Sequence, residues 1–323
     1  MIDSCGRRIN YMRISITDRC DLRCRYCMPE EGIEKVSMSR ILTYEEILRI
    51  CRAAVKIGIT RFKITGGEPL VRKGCTGLVR EMKKIAGVEQ VTLTTNGQQL
   101  SGRIEELKEA GIDGINISMD SLREDRYSYI TGGGELRKTL EAIDRSIASG
   151  ISTRINCLLQ KQFNEDETAD FAAFAFDKGL DVRFIEIMPV GFGNPDEGLS
   201  NDDVLKKLKE KHPELEKDER LHGNGPAVYY RLPGTAGAIG LISAMHHSFC
   251  SSCNRIRLTS QGLLKPCLCY EDGIDLRPVL AEQESSEEMI KEALREAVMD
   301  KPDGHTFFDR AGVETKLMSQ IGG

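Results

Sequence analysis

The sequence carries no surplus of positive charge. Its 45 Lys and Arg stand against 50 Asp and Glu, for a formal net charge of −5. A broad surface for nucleic acid or for an anionic membrane is therefore not expected, and any basic site must be local. No apolar run is long enough to span a bilayer, and no apolar signal-like stretch opens the chain, which gives the expectation of a cytoplasmic protein. Internal repeats, beyond a βα rhythm, and low-complexity tracts are also missing. So is an even cysteine framework. Eleven cysteines, without a secretory signal, argue against a disulfide scaffold and for thiol or metal chemistry.

What is present is ordinary in bulk and unusual in detail. The 323 residues are 40% hydrophobic and 29% charged, enough for one large α/β domain or two smaller ones. Six of the cysteines fall into two trios, Cys20, Cys24, Cys27 and Cys250, Cys253, Cys267. The other five, Cys5, Cys51, Cys75, Cys157 and Cys269, read as small hydrophobes. Thiolates crowded as in Cys20–Cys27 repel one another unless a metal centre neutralises them, and soft sulfur selects zinc, copper or iron–sulfur clusters. Closed zinc sites take four ligands. A three-cysteine cubane would leave one iron open to a small molecule. For the second trio, zinc stays open, because Cys269, His246 and His247 lie near enough in sequence to complete a tetrahedral site.

In chain order, residues 1–10 read as a polar arm, and Tyr11 to Thr17 alternates as a strand ending at the first cysteine loop. Thr43 to Glu46 forms a capping box that opens a helix ending at Gly58. Five more strands, near 61–65, 91–95, 114–119, 153–159 and 182–188, are each preceded by a helical stretch, and Gly66-Gly67-Glu68-Pro69 breaks the first of them. Alternating β and α units imply a parallel sheet with right-handed crossovers, with strand cores apolar on both faces in places. The expected fold class is α/β: a partial six-unit (β/α) TIM-like barrel over residues 1–190, functional groups at the C-terminal strand ends. Residues 191–323 form a C-terminal region of short antiparallel strands and helices, with helices near 200–211 and 286–299, that carries the second trio.

Arg13, Lys63, Arg154, Arg183, Arg255 and Arg257 fall on or beside these strands. Strand interiors are unusual places for cations unless they face a polar cavity, and a polyanion such as a triphosphate would need such a cluster in an acidic protein. The chain ends Gly322-Gly323, which reads as a frayed terminus, a conjugation tail, or a slim segment able to enter a narrow pocket.

Cys20-x-x-x-Cys24-x-x-Cys27 with Tyr26, followed by Gly66-Gly67-Glu68-Pro69, resembles the motifs of the radical S-adenosylmethionine (SAM) superfamily. Phe249-Cys250-x-x-Cys253-Asn254-Arg255-x-Arg257, Cys267 and the terminal glycines are similar to the GTP 3′,8-cyclase family of molybdenum cofactor biosynthesis. The resemblance runs from about Arg13 to Gly323. It implies two [4Fe–4S] clusters, one on each trio, with SAM at the first and the guanine of GTP at the second. It matches Tyr26, Gly67, Ser118 and Met188 to SAM contacts, with Gly67 letting the backbone approach SAM closely. Arg13, Lys63, Thr94, Arg154, Arg255 and Arg257 match GTP contacts; Arg183 joins them as a strand cation. Lys63 stands where the family commonly has arginine, and Arg154 where it has lysine, so their donor geometry differs. Arg255 and Arg257 are candidates for the proton that quenches the product radical. The implied partners are GTP, an external electron donor and a downstream cyclic pyranopterin monophosphate synthase, with no nucleic acid and no membrane; a homodimer is left open. Another twin-cluster radical SAM enzyme and a non-catalytic iron–sulfur or zinc redox sensor are the alternatives.

Overall fold

The structure, a computed structural model, describes residues 1–34, 36–282, 286–309 and 313–322. Six βα units build the centre. Their strands are β1 (Tyr11–Ser15), β2 (Arg61–Thr65), β3 (Gln90–Thr95), β4 (Gly114–Ser118), β5 (Thr153–Cys157) and β6 (Asp181–Ile185). The helices between them are α1 (Tyr44–Lys56), α2 (Cys75–Lys83), α3 (Ile104–Glu109), α4 (Glu124–Thr131), α5 (Leu136–Ala148) and α6 (Thr168–Lys178). The expected capping box is present: Thr43 Oγ1 accepts from Glu46 N at 3.1 Å, and Glu46 Oε2 accepts from Thr43 N at 2.6 Å. Helix α4 is an element that the sequence pattern did not reveal.

The C-terminal region adds α7 (Asn201–Lys211), β7 (Glu216–Asp218), β8 (Val228–Arg231), β9 (Ala238–Ile242), β10 (Arg255–Leu258), β11 (Leu263–Lys265) and β12 (Ile274–Asp275). Helices α8 (Arg277–Ala281), α9 (Ser286–Met299) and α10 (Met318–Ile321) follow. Among the described residues the strands form one sheet, ordered β12-β11-β10-β1-β2-β3-β4-β5-β6-β9-β8-β7. The antiparallel pairings expected of this region are there, β7 with β8, β8 with β9, β10 with β11, and β11 with β12. Beyond them, β10 joins β1 and β9 joins β6 in parallel. The C-terminal region thus lengthens the parallel sheet at both edges.

The two faces of this sheet differ. Met12, Ile14, Phe62, Ile64, Val91, Leu93, Ile115, Ile117, Ile155, Val182, Phe184, Ile256 and Leu258 point outward into one helix-covered core. Alternate positions carry Arg13, Lys63, Thr94, Asn116, Arg154, Arg183, Arg255 and Arg257. Apolar character on the cation-bearing face is confined to places such as Tyr11, Ile185 and Ala238 near strand ends. Strand period fixes the outcome: one residue in two meets the helices, and the other lines a polar interior. No helix among the described residues is long and apolar enough to cross a membrane.

A buried pair anchors the C-terminal segment: Lys265 Nζ contacts Glu314, and both side chains are 0% exposed. Removing one partner strands a charge in the interior. Glu314→Ala should cost about 3–5 kcal/mol in denaturant unfolding, whereas Thr43→Ala, which removes one exposed cap, should cost about 1 kcal/mol.

Candidate active site

The first trio sits on a loop that leaves the C-terminal end of β1. Within the loop, Cys27 N and Met28 N both donate to Cys24 O, at 2.8 and 3.1 Å. Outside it, Arg23 N and Arg25 N donate to Thr131 O and Ile130 O at the end of α4. The glycine-rich break after β2 presses on the same loop. Gly67 N donates to Thr17 O and Glu68 N to Arg19 O, each at 2.8 Å. A Cβ on Gly67 would lie 2.5 Å from Arg19 O and 2.7 Å from Asp18 O. The absent side chain at Gly67 is therefore used, in the first place, to seat the cysteine loop against the neighbouring strand end.

Carboxylates surround this trio. Tyr26 Oη donates to Asp120 Oδ2 at 2.7 Å, and Leu158 N to Asp120 Oδ1 at 2.8 Å. Glu68 accepts from Leu70 N, Thr95 Oγ1 and Asn96 N. Burial pushes Cys20 up to about 12 and Cys27 up to about 11. Cys24 is raised by burial and then by Cys27, Asp120 and Cys20. Left alone, the three would stay protonated thiols. As a set they call for a cationic centre that takes thiolates, and the donor chemistry fits an iron–sulfur cluster. Ser118 lies half-buried at the C-terminal end of β4. Met188 packs against the buried cluster of Val190, Met245, Cys269, Phe307 and Ile321.

The second trio lies at the opposite rim. Cys253 stands two residues before Arg255, where β10 starts, and β10 runs parallel to β1. Functional groups were expected at C-terminal strand ends; here the cysteine loop precedes its strand instead of following it. Cys253 N donates to Cys250 O at 3.1 Å in a short turn. Two residues missed by sequence reasoning hold this loop. Arg7, paired with Asp3 at 2.6 Å, donates to the carbonyls of Cys250, Lys301, Pro302 and Asp303. Lys301, 3% exposed, donates to Pro266 O at 2.8 Å. Burial alone would raise the Cys253 thiol, but Lys301 and Arg255 outweigh it and bring it below its ordinary value. His246 and His247 turn to Glu186 and Asp202, at 3.1 and 2.8 Å, and the Cys269 thiol lies 4.0 Å from Thr306 Oγ1. Among the described residues no three His, Cys, Asp or Glu side chains converge around a single metal ion.

The strand cations meet between the two rims. Burial lowers Lys63 well below its ordinary value, and Arg183, Arg13, Arg255 and Arg154 lower it further. Burial brings Arg13 down to about 10, and burial with Arg13 and Arg255 nearby lowers Arg257. Arg183 Nη2 donates to Asn116 Oδ1, and Arg154 Nε lies 3.2 Å from Asp181. Thr94 Oγ1 is buried on the same face with no hydrogen-bond partner. The six sequence-predicted cations thus converge on one cavity. The C-terminal segment covers the first-trio end of it: Ser319 N–H donates to the Cys27 thiol, Gly322 lies against Ser15 and Thr65 at the ends of β1 and β2, and Arg257 Nη1 donates to Gly322 O. Gly323 lies outside the described residues.

Two outcomes follow from the first trio. Gly67→Ala must push back a backbone carbonyl, so the variant should retain clearly less iron than the parent after anaerobic reconstitution, by iron assay. Burial raises Glu68 from 4.5 up to about 7 and Asp120 up to about 6. The folded form therefore holds protons that the unfolded chain releases. Their stabilisation is full below the unfolded values and is lost as pH rises toward 7. Glu68→Gln should flatten the pH 4.5–7 part of a stability-against-pH profile of the metal-free protein.

Comparison with known proteins agrees with this arrangement. Residues 14–175 match the Radical SAM superfamily, and residues 180–307 match Molybdenum Cofactor Synthesis C. The chain is 45% identical to the GTP 3′,8-cyclase of Peptoclostridium acidaminophilum, over 100% of this chain and 98% of that protein. It is 45% identical to that of Alkaliphilus oremlandii, over 100% of both, and 44% identical to that of Geobacter sulfurreducens, over 100% and 99%. Among solved structures, Streptococcus suis SuiB bound to S-adenosylmethionine aligns with a TM-score of 0.61 at 16% identity, over 88% of this chain and 68% of that one. Native anSMEcpe with bound AdoMet aligns with a TM-score of 0.56 at 17% identity, over 87% and 82%; both likenesses speak to the fold alone. With full-length identity well above what a shared fold requires, the chain belongs to the GTP 3′,8-cyclase family of the radical SAM superfamily.

Proposed function

We propose that this chain converts GTP into (8S)-3′,8-cyclo-7,8-dihydroguanosine 5′-triphosphate in molybdenum cofactor biosynthesis. The observation that carries the reading is one polar cavity with a sulfur trio at each rim and six cations between. Cys20, Cys24 and Cys27 would hold one [4Fe–4S] cluster, and Cys250, Cys253 and Cys267 a second whose open iron takes the guanine. When bound, the first cluster would supply, with SAM and one electron from the external donor, a 5′-deoxyadenosyl radical and methionine.

The residues of the chain do the rest by position. Tyr26, Gly67, Ser118 and Met188 border the SAM side, and Tyr26 is held by its hydrogen bond to Asp120. Arg13, Lys63, Thr94, Arg154, Arg183, Arg255 and Arg257 grip GTP; bringing a polyanion among cations that lower one another's proton affinity relieves their repulsion. In that grip the ribose C3′–H faces the SAM side and gives its hydrogen atom, yielding 5′-deoxyadenosine. The C3′ radical then forms a bond to guanine C8. One electron from an external donor and one proton complete the product. Arg255 and Arg257 are the candidates for that proton; burial with Arg13 and Arg255 nearby lowers the proton affinity of Arg257, which supports the reading. A closed, dry cavity is required, because the radical attacks any C–H bond within reach. The cyclised triphosphate would pass to a cyclic pyranopterin monophosphate synthase.

Anaerobically reconstituted protein should bind about eight irons, as two cubanes require. With SAM, dithionite and GTP it should form 5′-deoxyadenosine and a cyclised triphosphate, read by mass analysis. Cys267→Ala should keep about four irons and still cleave SAM slowly while losing cyclisation. Zinc in place of iron, or 5′-deoxyadenosine formation indifferent to GTP in the parent protein, would sink the assignment.

A further inference from the structure

The segment His222-Gly223-Asn224-Gly225-Pro226 between β7 and β8 forms neither strand nor helix, yet it is tied down along its length. His222 bridges two carboxylates, Asp181 through Nδ1 at 3.0 Å and Asp218 through Nε2 at 2.8 Å, and its ring stacks on Tyr229 at 4.0 Å. Gly223, at φ +111°, turns the chain inward beside Arg154: a Cβ there would lie 3.6 Å from Arg154 Nη2. Asn224 Oδ1 accepts from Arg61 Nη1. Asn224 O accepts from Asn254 Nδ2 at 3.5 Å, and Asn254 in turn donates to Asn10 Oδ1 at 3.2 Å.

These anchors share a level. Arg61 and Asp181 are the first residues of β2 and β6, Arg154 is the second of β5, and Asn254 immediately precedes β10. In sheet order β2 and β5 are separated by β3 and β4, and β10 lies beyond β1. The segment therefore crosses the N-terminal mouth of the barrel as a strap and floors the cavity that the cations line.

The strap leaves donors without acceptors. With Oδ1 committed to Arg61, the amide of Asn224 has only its NH2 group to offer. Asn224 Nδ2 is buried with no partner, as are Arg183 Nε and Arg255 Nε. Asn254 Oδ1 is the buried acceptor left open beside the strap. Buried donors seldom stay unmatched, so those on the strap and on the strands it faces ask for a ligand that brings acceptors. The cationic neighbours Arg61 and Arg154 mark this as the anionic end of that ligand. We infer that the strap reads the terminal phosphate of a nucleoside triphosphate, with Asn224 Nδ2 donating to it, and so separates tri- from diphosphates by chain length. This rests on the proposed use of GTP.

The test is equilibrium dialysis with GTP and with GDP, without SAM, on full-length anaerobically reconstituted protein. Asn224→Asp keeps an acceptor for Arg61 and replaces only the Nδ2 donor by oxygen; Asn224→Ala removes both. The parent should prefer GTP. Asn224→Ala should weaken GTP by about tenfold and Asn224→Asp by more, since a carboxylate repels phosphate, while GDP changes by less than about twofold. Iron content and melting temperature serve as folding controls. Equal weakening of GTP and GDP, or unchanged GTP binding in Asn224→Asp, overturns the role of the strap and leaves the cyclase reading intact. A parent protein that binds no GTP overturns that reading, and the strap's role with it.

Discussion

Like charges crowded in a low-dielectric space repel, and everything at the centre of this molecule is arranged around that fact. Lys63 has Arg183, Arg13, Arg255 and Arg154 for company, an unstable society unless an anion joins it. The sheet can host the cluster because strand period puts the cations on one face and gives the other to Met12, Ile14, Phe62, Ile64 and their neighbours. The apolar face stabilises the barrel strongly enough that the inner face can be spent on binding. Stability and affinity are thus written on alternate residues of the same strands.

The two sulfur trios differ electrically as well as in position. Asp21, Glu68 and Asp120 add negative potential near the first; Lys301 and Arg255 add positive potential at the second. Surrounding charge and hydrogen bonds are among the levers that set the reduction potential of an iron–sulfur centre. A centre among acids is harder to reduce than one among bases. The asymmetry suits the proposed division of labour, in which one end would drive a demanding reduction and the other would grip a neutral base.

Much of this could be read from the sequence, for physical reasons that particular residues make plain. The six central strands announce themselves by alternation, α1 by Thr43 and Glu46, and the cations by their odd placement in strands. Helix α4 escaped because Asp125-Arg126-Tyr127-Ser128-Tyr129 shows no apolar stripe, although Glu124 in its first turn and Gly132 at its end were usable signals. The parallel docking of β9 and β10 escaped because pairing between distant segments leaves no local mark. Arg7 sat in what looked like a polar arm, and Asn224 in a stretch to which the sequence assigns no element. Nothing in their neighbours hints at Cys250 or Arg61, which only the folded chain brings near.

The Asp3–Arg7 hook sets a timetable. Arg7 closes its contact with Pro302 across 295 positions, so residues 1–10 cannot settle until the chain near residue 302 has folded back. Contacts of such separation form late in folding. The first sulfur cradle leans on α4 and β2 before Ser319 reaches Cys27, whereas the turn at Cys250 waits for Arg7. The two cradles are thereby completed at different stages of folding.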